Sequence, residues 1–414
     1  MRPKQSPQTA ARIQQPPEVV LLALTLFVLL AATAQAQNYT VLHVFSGHGD
    51  GGNPFAGVTL DRQGRIYGMT PYGGSYQDGV VFRLVREGEA WVLSPIYSFG
   101  SQEHDGTTPF DRVILGPDGV LYGTTSYGGA QGYGTVFSLR PPATACKTVL
   151  CPWLETVLYS FTGGADGANP DYGDLVFDQS GNLYGTTVYG GSSNLGVVFK
   201  LTRSGSAWTE SVLWNFARGD DGSYPISGVI FDPAGNLYGT TTDGGSDSLG
   251  TVYELSPTQS GWNETTLYSF TGADNGSGAG GLIMDAHGDL FGITGFFGTG
   301  AAFELTPQNG NWSFTRLQTF SGGGYPPTLG APTLDAQGNL YGPLPGGGDG
   351  FGEIFKLSPS GNQWTYSPFY QFDTCNDGNG CFPIGAVTFD ANRNMYGTAE
   401  EGGGGAGIVF EITP

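Results

Sequence analysis

The chain has 414 residues, of which 71 are glycine and 26 are proline, and its formal net charge is −20. So acidic a surface repels phosphate backbones, which argues against nucleic-acid binding, and otherwise acidity only favours solubility. Glycine and proline at this level would indicate disorder in a sequence without periodicity. Here the glycines recur at fixed places beside aromatic and β-branched residues, so they are typical of turns in an all-β fold.

Residues 1–36 have the features of a secretory signal peptide. A basic start precedes the apolar run VVLLALTLFVLL over residues 19–30, and a small-x-small cleavage signature ends at Ala36. The run is short for a membrane span, which needs about 20 residues, although an uncleaved N-terminal anchor is an open alternative. No second apolar run of spanning length follows. We therefore expect residues 37–414 to form an exported domain without a membrane span, in the periplasm or outside the cell.

A motif whose most regular copies read GNLYGTT occurs in seven variants along the rest of the chain. Each copy centres on one aromatic residue: Tyr67, Tyr122, Tyr184, Tyr238, Phe291, Tyr341 and Tyr396. Each repeat holds four short strand-like segments, named a, b, c and d, which are separated by turn residues. In the third repeat these segments cover residues 173–178, 182–187, 196–201 and 208–216. Four strands in a repeat of about 50 residues are typical of a β-propeller blade.

The two ends of the repeat array predict how it closes. Residues 38–45 form a segment d that has no a, b or c before it, and the chain ends after a segment c at residues 408–413. Seven complete sets exist only if the first strand joins the last repeat, whereas an open array would leave two exposed edges. A solenoid would need polar capping repeats, and the end repeats resemble the middle ones. We predict a seven-bladed β-propeller whose N-terminal strand completes the last blade.

Several recurring residues are explained by this fold alone. An aspartate precedes the tight turn between segments a and b in six repeats: Asp61, Asp178, Asp232, Asp285, Asp335 and Asp390. Since aspartate and glycine are turn residues, we interpret these positions as Asx-type turns and not as a ring of acidic ligands. The tyrosine of segment b and the tryptophan that begins segment d, such as Trp208, are interpreted as core aromatics that pack blade against blade.

The four cysteines form two close pairs in sequence. In an exported chain the spacing favours two local disulfides, Cys146–Cys151 and Cys375–Cys381. A tetrahedral metal site would require the two pairs to meet, so we predict no metal site.

One end of the ring gathers the residues that could bind a ligand. In antiparallel blades the b–c loops and the d–a connections lie on the same face. Three b–c loops carry a tyrosine, and three d–a connections carry an aspartate. The candidates are Tyr72, Tyr127, Tyr189, Asp105, Asp166 and Asp221. Aromatic faces and carboxylates suit a sugar ring or a cation, but the same residues also suit plain turns. The loops lack the dense acidic alternation of a calcium loop, so we predict no cofactor, with calcium as the alternative.

Recognisable catalytic motifs are missing from the sequence. The four histidines lie in unlike contexts, and no Gly-x-Ser-x-Gly, His-Glu-x-x-His or phosphate loop occurs. Carboxylates alone can hydrolyse glycosides. Two functions therefore stay open: a non-catalytic binding or scaffold module for a carbohydrate or a surface protein, and a carboxylate-dependent glycan-active enzyme. We expect the first, in a monomeric protein.

The repeated succession GNLYGTT, a Gly-Gly pair and GTVFxL resembles the Gloeo/Verruco (GloVer) tandem-repeat family of exported bacterial proteins. The resemblance covers residues 39–414, and repeats five (GDLFGIT) and six (GNLYGPL) depart from the pattern. It implies export and a repeat architecture, and it supplies no active-site residues.

Overall fold

The backbone of the described chain consists of thirty β-strands and contains no helix. The computed structural model describes residues 37–142, 153–272, 276–295, 300–320, 329–361, 363–376 and 378–414. Within these ranges there is accordingly no helix of the length and apolarity needed to cross a membrane. The proposed signal peptide lies outside them.

Twenty-eight strands form seven four-stranded antiparallel sheets, each with the strand order a–b–c–d. The a strands, which are the innermost, are β2 (Thr59–Leu60), β7 (Ile114–Leu115), β12 (Val176–Phe177), β16 (Ile230–Phe231), β20 (Ala279–Met284), β24 (Thr333–Leu334) and β28 (Thr388–Phe389). The b strands are β3 (Ile66–Thr70), β8 (Leu121–Thr125), β13 (Leu183–Thr187), β17 (Leu237–Thr240), β21 (Leu290–Thr294), β25 (Leu340–Leu344) and β29 (Met395–Ala399).

The outer half of each sheet is built from longer strands. The c strands are β4 (Val80–Glu87), β10 (Thr135–Arg140), β14 (Val197–Ser204), β18 (Thr251–Thr258), β22 (Gly300–Gln308), β26 (Glu353–Ser360) and β30 (Ile408–Thr413). The d strands are β5 (Ala90–Ser98), β11 (Leu154–Ser160), β15 (Ala207–Asn215), β19 (Gly261–Ser269), β23 (Asn311–Phe320), β27 (Gln363–Gln371) and β1 (Asn38–Val44). The sheets are numbered blades 1 to 7 from β2 onwards, and the seven-bladed propeller predicted from the repeats is confirmed.

The N-terminal strand completes the last blade, as the chain ends predicted. Strand β1 pairs with β30 in blade 7, and the Phe45 amide donates a hydrogen bond of 2.9 Å to the Gly407 carbonyl. Tyr39 stacks on Tyr370 of the preceding blade with ring centroids 4.2 Å apart. Because β1 covers the edge of β30, the ring has no open strand edge at the closure.

The GNLYGTT motif is explained residue by residue in blade 3. The Asp178 carboxylate accepts hydrogen bonds from the backbone amides of Ser180 and Asn182 at 2.8 and 2.9 Å, and from the Tyr184 hydroxyl at 3.0 Å. This confirms the Asx-type turn. A side chain in place of Gly185 would collide with the Phe199 ring, so the glycine lets strand c lay its aromatic over strand b.

Neighbouring blades pack through aromatic side chains, as expected. Trp208 begins strand d of blade 3 and meets Tyr122 of blade 2 edge-on, with ring centroids 6.5 Å apart. The same pairing of a tryptophan with the b-strand aromatic of the previous blade recurs at Trp91–Tyr396, Trp153–Tyr67, Trp312–Tyr238 and Trp364–Phe291. Trp208 itself is half-buried, because strand d lies at the outer rim.

The d–a connections, with sequence Asp-Gly-x-x-Pro in most repeats, tie successive blades together. Between blades 1 and 2, β6 (Gly106–Thr107) pairs with β9 (Tyr127–Gly128) in the b–c loop of blade 2. The next amide, of Thr108, donates a hydrogen bond of 2.8 Å to the Asp78 carbonyl in the b–c loop of blade 1. Thr108 has φ 57°, and the residue before the proline is left-handed at four other connections: Asn53, Asn169, Tyr224 and Phe382. The Asp-Gly-x-x-Pro segment therefore forms hydrogen bonds with the b–c loops of both neighbouring blades.

One of the two predicted disulfides is observed. Cys375 and Cys381 are bonded to each other in the connection that leads into blade 7. Cys146 and Cys151 lie outside the described residues.

We expect deletion of residues 38–45 to destabilise the whole ring. The deletion uncovers the edge of β30 and removes Leu42 and Phe45, which are 7% and 1% exposed, from the core. Loss of two such side chains costs about 5 kcal/mol or more. Thermal unfolding of the truncated chain measures the effect, and a melting curve identical to that of the intact chain would refute closure by this strand.

We expect Trp208→Ala to lower the free energy of unfolding by about 2–3 kcal/mol, somewhat less than for a fully buried tryptophan. The reason is the loss of the contact with Tyr122 across the blade boundary. The matched control is Thr209→Ala, because Thr209 is exposed on the same strand and its loss should cost less than about 0.5 kcal/mol. Chemical denaturation compares the two, and equal small effects would contradict the packing role.

Candidate functional site

The a strands of all seven blades surround a cavity of about 260 Å³. Very small residues recur around its wall and let the inner strands approach closely: Gly57, Gly228, Gly281, Gly330, Gly385 and Ala386. A side chain at Gly57 would collide with the Ala386 carbonyl, and one at Gly228 would collide with the Asp174 carbonyl. The narrowness of the centre is thus a consequence of glycine at the innermost position.

Charged residues enter this wall only from blades 2 and 3, among the described residues that line it. Arg112 and Asp174 occupy the position that glycine or alanine holds in other blades. The Arg112 guanidinium donates from Nε and Nη2 to Asp174 Oδ2 at 2.9 and 2.6 Å, and the Arg112 amide donates to Oδ1 at 3.1 Å. This ion pair joins two blades at the cavity and compensates one of the local negative charges.

Asp111 is the most deeply buried acid of the cavity wall. It is 2% exposed, and Oδ2 accepts a hydrogen bond from the Thr124 hydroxyl. Its other oxygen, Oδ1, is buried and has no hydrogen-bond partner in the described structure. Burial, with the charges of Asp174 and Asp171 adding to it, raises the pKa of Asp111 well above its usual range. This shift favours the neutral, protonated form of the carboxyl group, which can donate a hydrogen bond.

A second acid, Asp171, stands half-buried beside the cavity where the repeats otherwise place an apolar residue. The residue after the connection proline is apolar at four other blades: Phe55, Phe110, Ile226 and Ile384. Asp171 Oδ1 is buried and lacks a hydrogen-bond partner within the described residues. Burial raises the pKa of this carboxyl group to about 6. Because no feature of the ring requires an acid there, Asp171 is a departure from the repeat that suggests function.

Aromatic rings form a continuous path at the edge of the cavity. Phe110 lies 5.1 Å from Phe55 and 5.0 Å from Tyr172, measured between ring centroids, and all three line the cavity. Tyr72 extends this path to the surface, because its ring lies 6.4 Å from that of Phe110 and its side chain is 47% exposed. A ligand could thus contact aromatic faces from the surface inwards.

The three predicted tyrosines are on the surface. Tyr127 and Tyr189 are 51% and 44% exposed, close to the value for Tyr72. Tyr189 contacts Tyr224 with ring centroids 5.7 Å apart. Tyr127 lies near enough to Tyr172 to contribute to the raised pKa of that phenol, which burial dominates. The described structure joins Tyr72 to the cavity through direct ring contact with a lining residue.

The three predicted aspartates hold their own connections together. Asp105 is 6% exposed and accepts hydrogen bonds from the Tyr97 hydroxyl and the Ser101 amide at 2.8 and 3.0 Å. Asp166 accepts from the Tyr159 hydroxyl in the same way, at 2.9 Å. Asp221 accepts from a backbone amide four residues earlier at 3.1 Å. Their carboxylates thus stabilise turns, and none of them lines the cavity.

The charged and buried residues of the cavity were not recognised from the sequence. Asp111, Arg112, Asp171 and Asp174 lie in short segments after the connection proline, which the repeat pattern presents as ordinary turns. The signal that could have revealed them is the contrast between blades, since the other blades place glycine, alanine or an apolar residue there.

The side-chain arrangement favours a neutral ligand with hydroxyl groups. Aromatic faces can stack on a sugar ring, and a buried carboxyl group and an ion pair can hydrogen-bond its hydroxyls. Elsewhere in the described chain, metal-binding side chains come close together at Asp285, His287 and Asp289, and at Cys375, Cys381 and Glu401. The first set is an Asx turn and the second includes disulfide sulfurs, so neither offers a cofactor to the cavity.

Solved structures with similar folds include extracellular domains. The chain superimposes on the extracellular domain assigned to a hybrid two-component system of B. thetaiotaomicron with a TM-score of 0.54 at 10% identity, covering 91% of this chain and 40% of that one. A domain assigned to a one-component system of the same organism gives a TM-score of 0.53 at 12% identity, over 92% of this chain and 40% of that one. At such identities the likeness shows the fold alone.

Sequence comparison adds one curated relative and one family. The chain is 26% identical over 225 residues to a xyloglucanase of Paenibacillus sp, and the match covers 50% of this chain and 20% of the relative. It therefore spans only a fifth of that protein's length. The model of the Gloeobacter/Verrucomicrobia repeat matches residues 25–171 and 153–342. Since these matches cover well over half of the sequence, the chain belongs to the Gloeobacter/Verrucomicrobia repeat family.

Proposed function

We propose that the protein is an exported, non-catalytic binding module that takes a carbohydrate at the aromatic edge of the central cavity. The observation that carries this proposal is the path of rings from exposed Tyr72 through Phe110 to Tyr172, which ends among buried acids. Aromatic rings that lead from a surface into a polar recess match a ligand with apolar ring faces and hydroxyl edges.

The charges of the site support a neutral ligand. The chain carries a net charge of −20, and Arg112, the cationic side chain among the described residues that line the cavity, is already paired with Asp174. An anionic ligand would be repelled by this field. A neutral glycan meets no such penalty, and the unpartnered oxygens of Asp111 and Asp171 can exchange hydrogen bonds with its hydroxyls.

The size of the cavity limits how much of the ligand it encloses. Its volume of about 260 Å³ lies below the usual range of small-molecule sites, which is about 300–1,000 Å³. We therefore infer that only a short part of a glycan enters, and that the remainder of the chain lies across Tyr127 and Tyr189. Binding along a row of exposed rings gains affinity from several weak contacts.

Export is part of the proposal. A leader with signal-peptide features precedes the propeller, and Cys375–Cys381 is a disulfide of the kind that persists in oxidising compartments. Two of the similar solved structures are extracellular domains. Because the chain is similar in sequence to a xyloglucanase, xyloglucan oligosaccharides are the first probe to use.

We expect the triple variant Tyr72→Ala, Tyr127→Ala and Tyr189→Ala to bind glycan at least about tenfold more weakly, or about 1.4 kcal/mol. A glycan array that includes xyloglucan oligosaccharides identifies the ligand, and isothermal titration calorimetry measures the loss. The matched control removes Tyr76 and Tyr133, which are 54% and 44% exposed in the b–c loops of blades 1 and 2 but are not part of the proposed row of rings. Equal affinity of the triple variant and the wild type would exclude this surface as the site.

A carboxylate-dependent glycan-active enzyme is the second candidate. It is favoured by Asp111 and Asp171, two neighbouring acids whose pKa values burial raises, as in acid catalysis. Incubation of the array ligands with the protein, followed by chromatography of the products, separates the two functions. Turnover that Asp111→Asn abolishes without loss of binding would establish the enzyme and overturn the non-catalytic proposal.

A further inference from the structure

Pairs of acidic side chains bridge neighbouring blades at the outer rim, away from the cavity. Each pair joins an aspartate of a d–a connection to a glutamate two residues after the tryptophan that begins the next d strand. The pairs are Asp105–Glu155, Asp166–Glu210 and Asp221–Glu264, at the junctions of blades 1 and 2, 2 and 3, and 3 and 4.

The first junction shows how the pair is held. The Trp153 amide donates a hydrogen bond of 3.5 Å to the Ile96 carbonyl, which sets the start of the second d strand against the end of the first. Tyr97, next to Ile96, donates from its hydroxyl to Asp105 Oδ2. Both Asp105 and Glu155 act electrostatically on this phenol, so the three side chains face one another.

The two carboxyl groups of this junction are buried without a cation. Asp105 and Glu155 are 6% and 8% exposed, and their atoms Oδ1 and Oε1 are buried without a hydrogen-bond partner in the described structure. No ion pair found among the described residues includes either side chain. Two adjacent desolvated carboxyl groups require a positive partner, which is either a proton or a metal ion.

The other junctions show that the fold does not need this glutamate. At the junction of blades 7 and 1 the corresponding residue is Leu93, and the connection aspartate, Asp50, is paired with His43 at 3.0 Å. At the junction of blades 4 and 5 it is Phe314, which stacks on Tyr268 with centroids 4.2 Å apart. An apolar residue thus packs well at this position, and a buried glutamate there suggests a ligand.

We propose that the Asp105–Glu155 junction binds a divalent cation of the calcium type, and that the Asp166–Glu210 junction is a second such site. The second junction shares part of this arrangement, because Tyr159 donates to Asp166 Oδ2 at 2.9 Å and the half-buried Glu210 has a buried Oε1 without a partner in the described structure. Calcium prefers carboxylate, carbonyl and water oxygens, and carboxylate oxygens are the donors that both junctions present. The bound ion links two blades.

The third junction is a natural control. The Thr266 hydroxyl donates to Glu264 Oε1 at 3.0 Å, so the oxygen that is free in the other two glutamates already has a partner here. We therefore leave Asp221–Glu264 outside the proposal.

Protons compete with the cation at both sites. Burial, together with the charge of Asp105, raises the pKa of Glu155 to about 8, and burial with Asp166 raises that of Glu210 to about 7. Tyr97 and Asp105 face Glu155, and Tyr159 and Asp166 face Glu210. A metal ion must displace the glutamate proton, so calcium affinity should increase as the pH rises from 6 to above 8.

The test measures calcium binding by the full chain, stripped with a chelator, at pH 8. We expect calorimetry to find one ion at each of the two junctions, calcium to raise the melting temperature, and terbium to show luminescence sensitised by the adjacent tyrosines. The double variant Glu155→Gln and Glu210→Gln should bind calcium at least tenfold more weakly, while Glu264→Gln should bind like the wild type.

Three outcomes would overturn the proposal. The first is an absence of binding heat and terbium emission at pH 8, and the second is unchanged calcium affinity in the double variant. The third is magnesium binding as tight as calcium binding, which would overturn the calcium assignment. Greater stability of the double variant together with indifference of the wild type to calcium would show that a proton alone occupies the junctions. Neither Glu155 nor Glu210 lines the cavity, so the calcium test and the glycan test use different variants and are read separately.

Discussion

No blade can bury both of its faces by itself, and the contact between neighbouring blades is the interaction on which the structure depends. It has an aromatic part at the rim, where Trp208 meets Tyr122 of the blade before it. It has a polar part at the inner side, where the Thr186 hydroxyl donates to the Ser227 carbonyl of the blade after it at 2.8 Å. Since every blade needs two neighbours, the ring is stable only when it is closed.

This dependence separates the residues that repeat from those that do not. Tyrosine, glycine and threonine of the motif recur because each one serves turn, strand or blade contacts that all blades share. Thr187, for example, donates to the Tyr189 carbonyl at 2.8 Å and so shapes the b–c loop. A residue that departs from the pattern at a buried position is not explained by the ring, and Asp111, Asp171 and Glu155 are residues of this kind.

The acidity of the chain has a local meaning in addition to its effect on solubility. Buried carboxyl groups occur at the cavity and at the rim, and individual groups differ in what compensates their negative charge. Asp174 is paired with Arg112, whereas burial of Asp111 favours its protonated form. Glu155 has no cationic side chain in the described structure, so its charge depends on the solution. The protonation of these buried carboxyl groups therefore links the stability of the protein to pH.

The sequence by itself determined the strands, their number and the closure of the ring. Period and turn chemistry are local properties, and the strand d at residues 38–45 has only one unfilled place to occupy. It also determined the Asx turn at Asp178 and the exposure of Tyr72, because both depend on residues a few positions away.

Only the tertiary structure decided which loop residues face the axis. Asp105 and Asp111 lie six positions apart, yet the first holds a turn at the rim and the second lines the cavity, because the left-handed residue before Pro109 redirects the chain between them. Some contacts join residues of different blades that are far apart in sequence, such as Arg112 with Asp174 and Asp105 with Glu155. No local sequence pattern predicts such contacts.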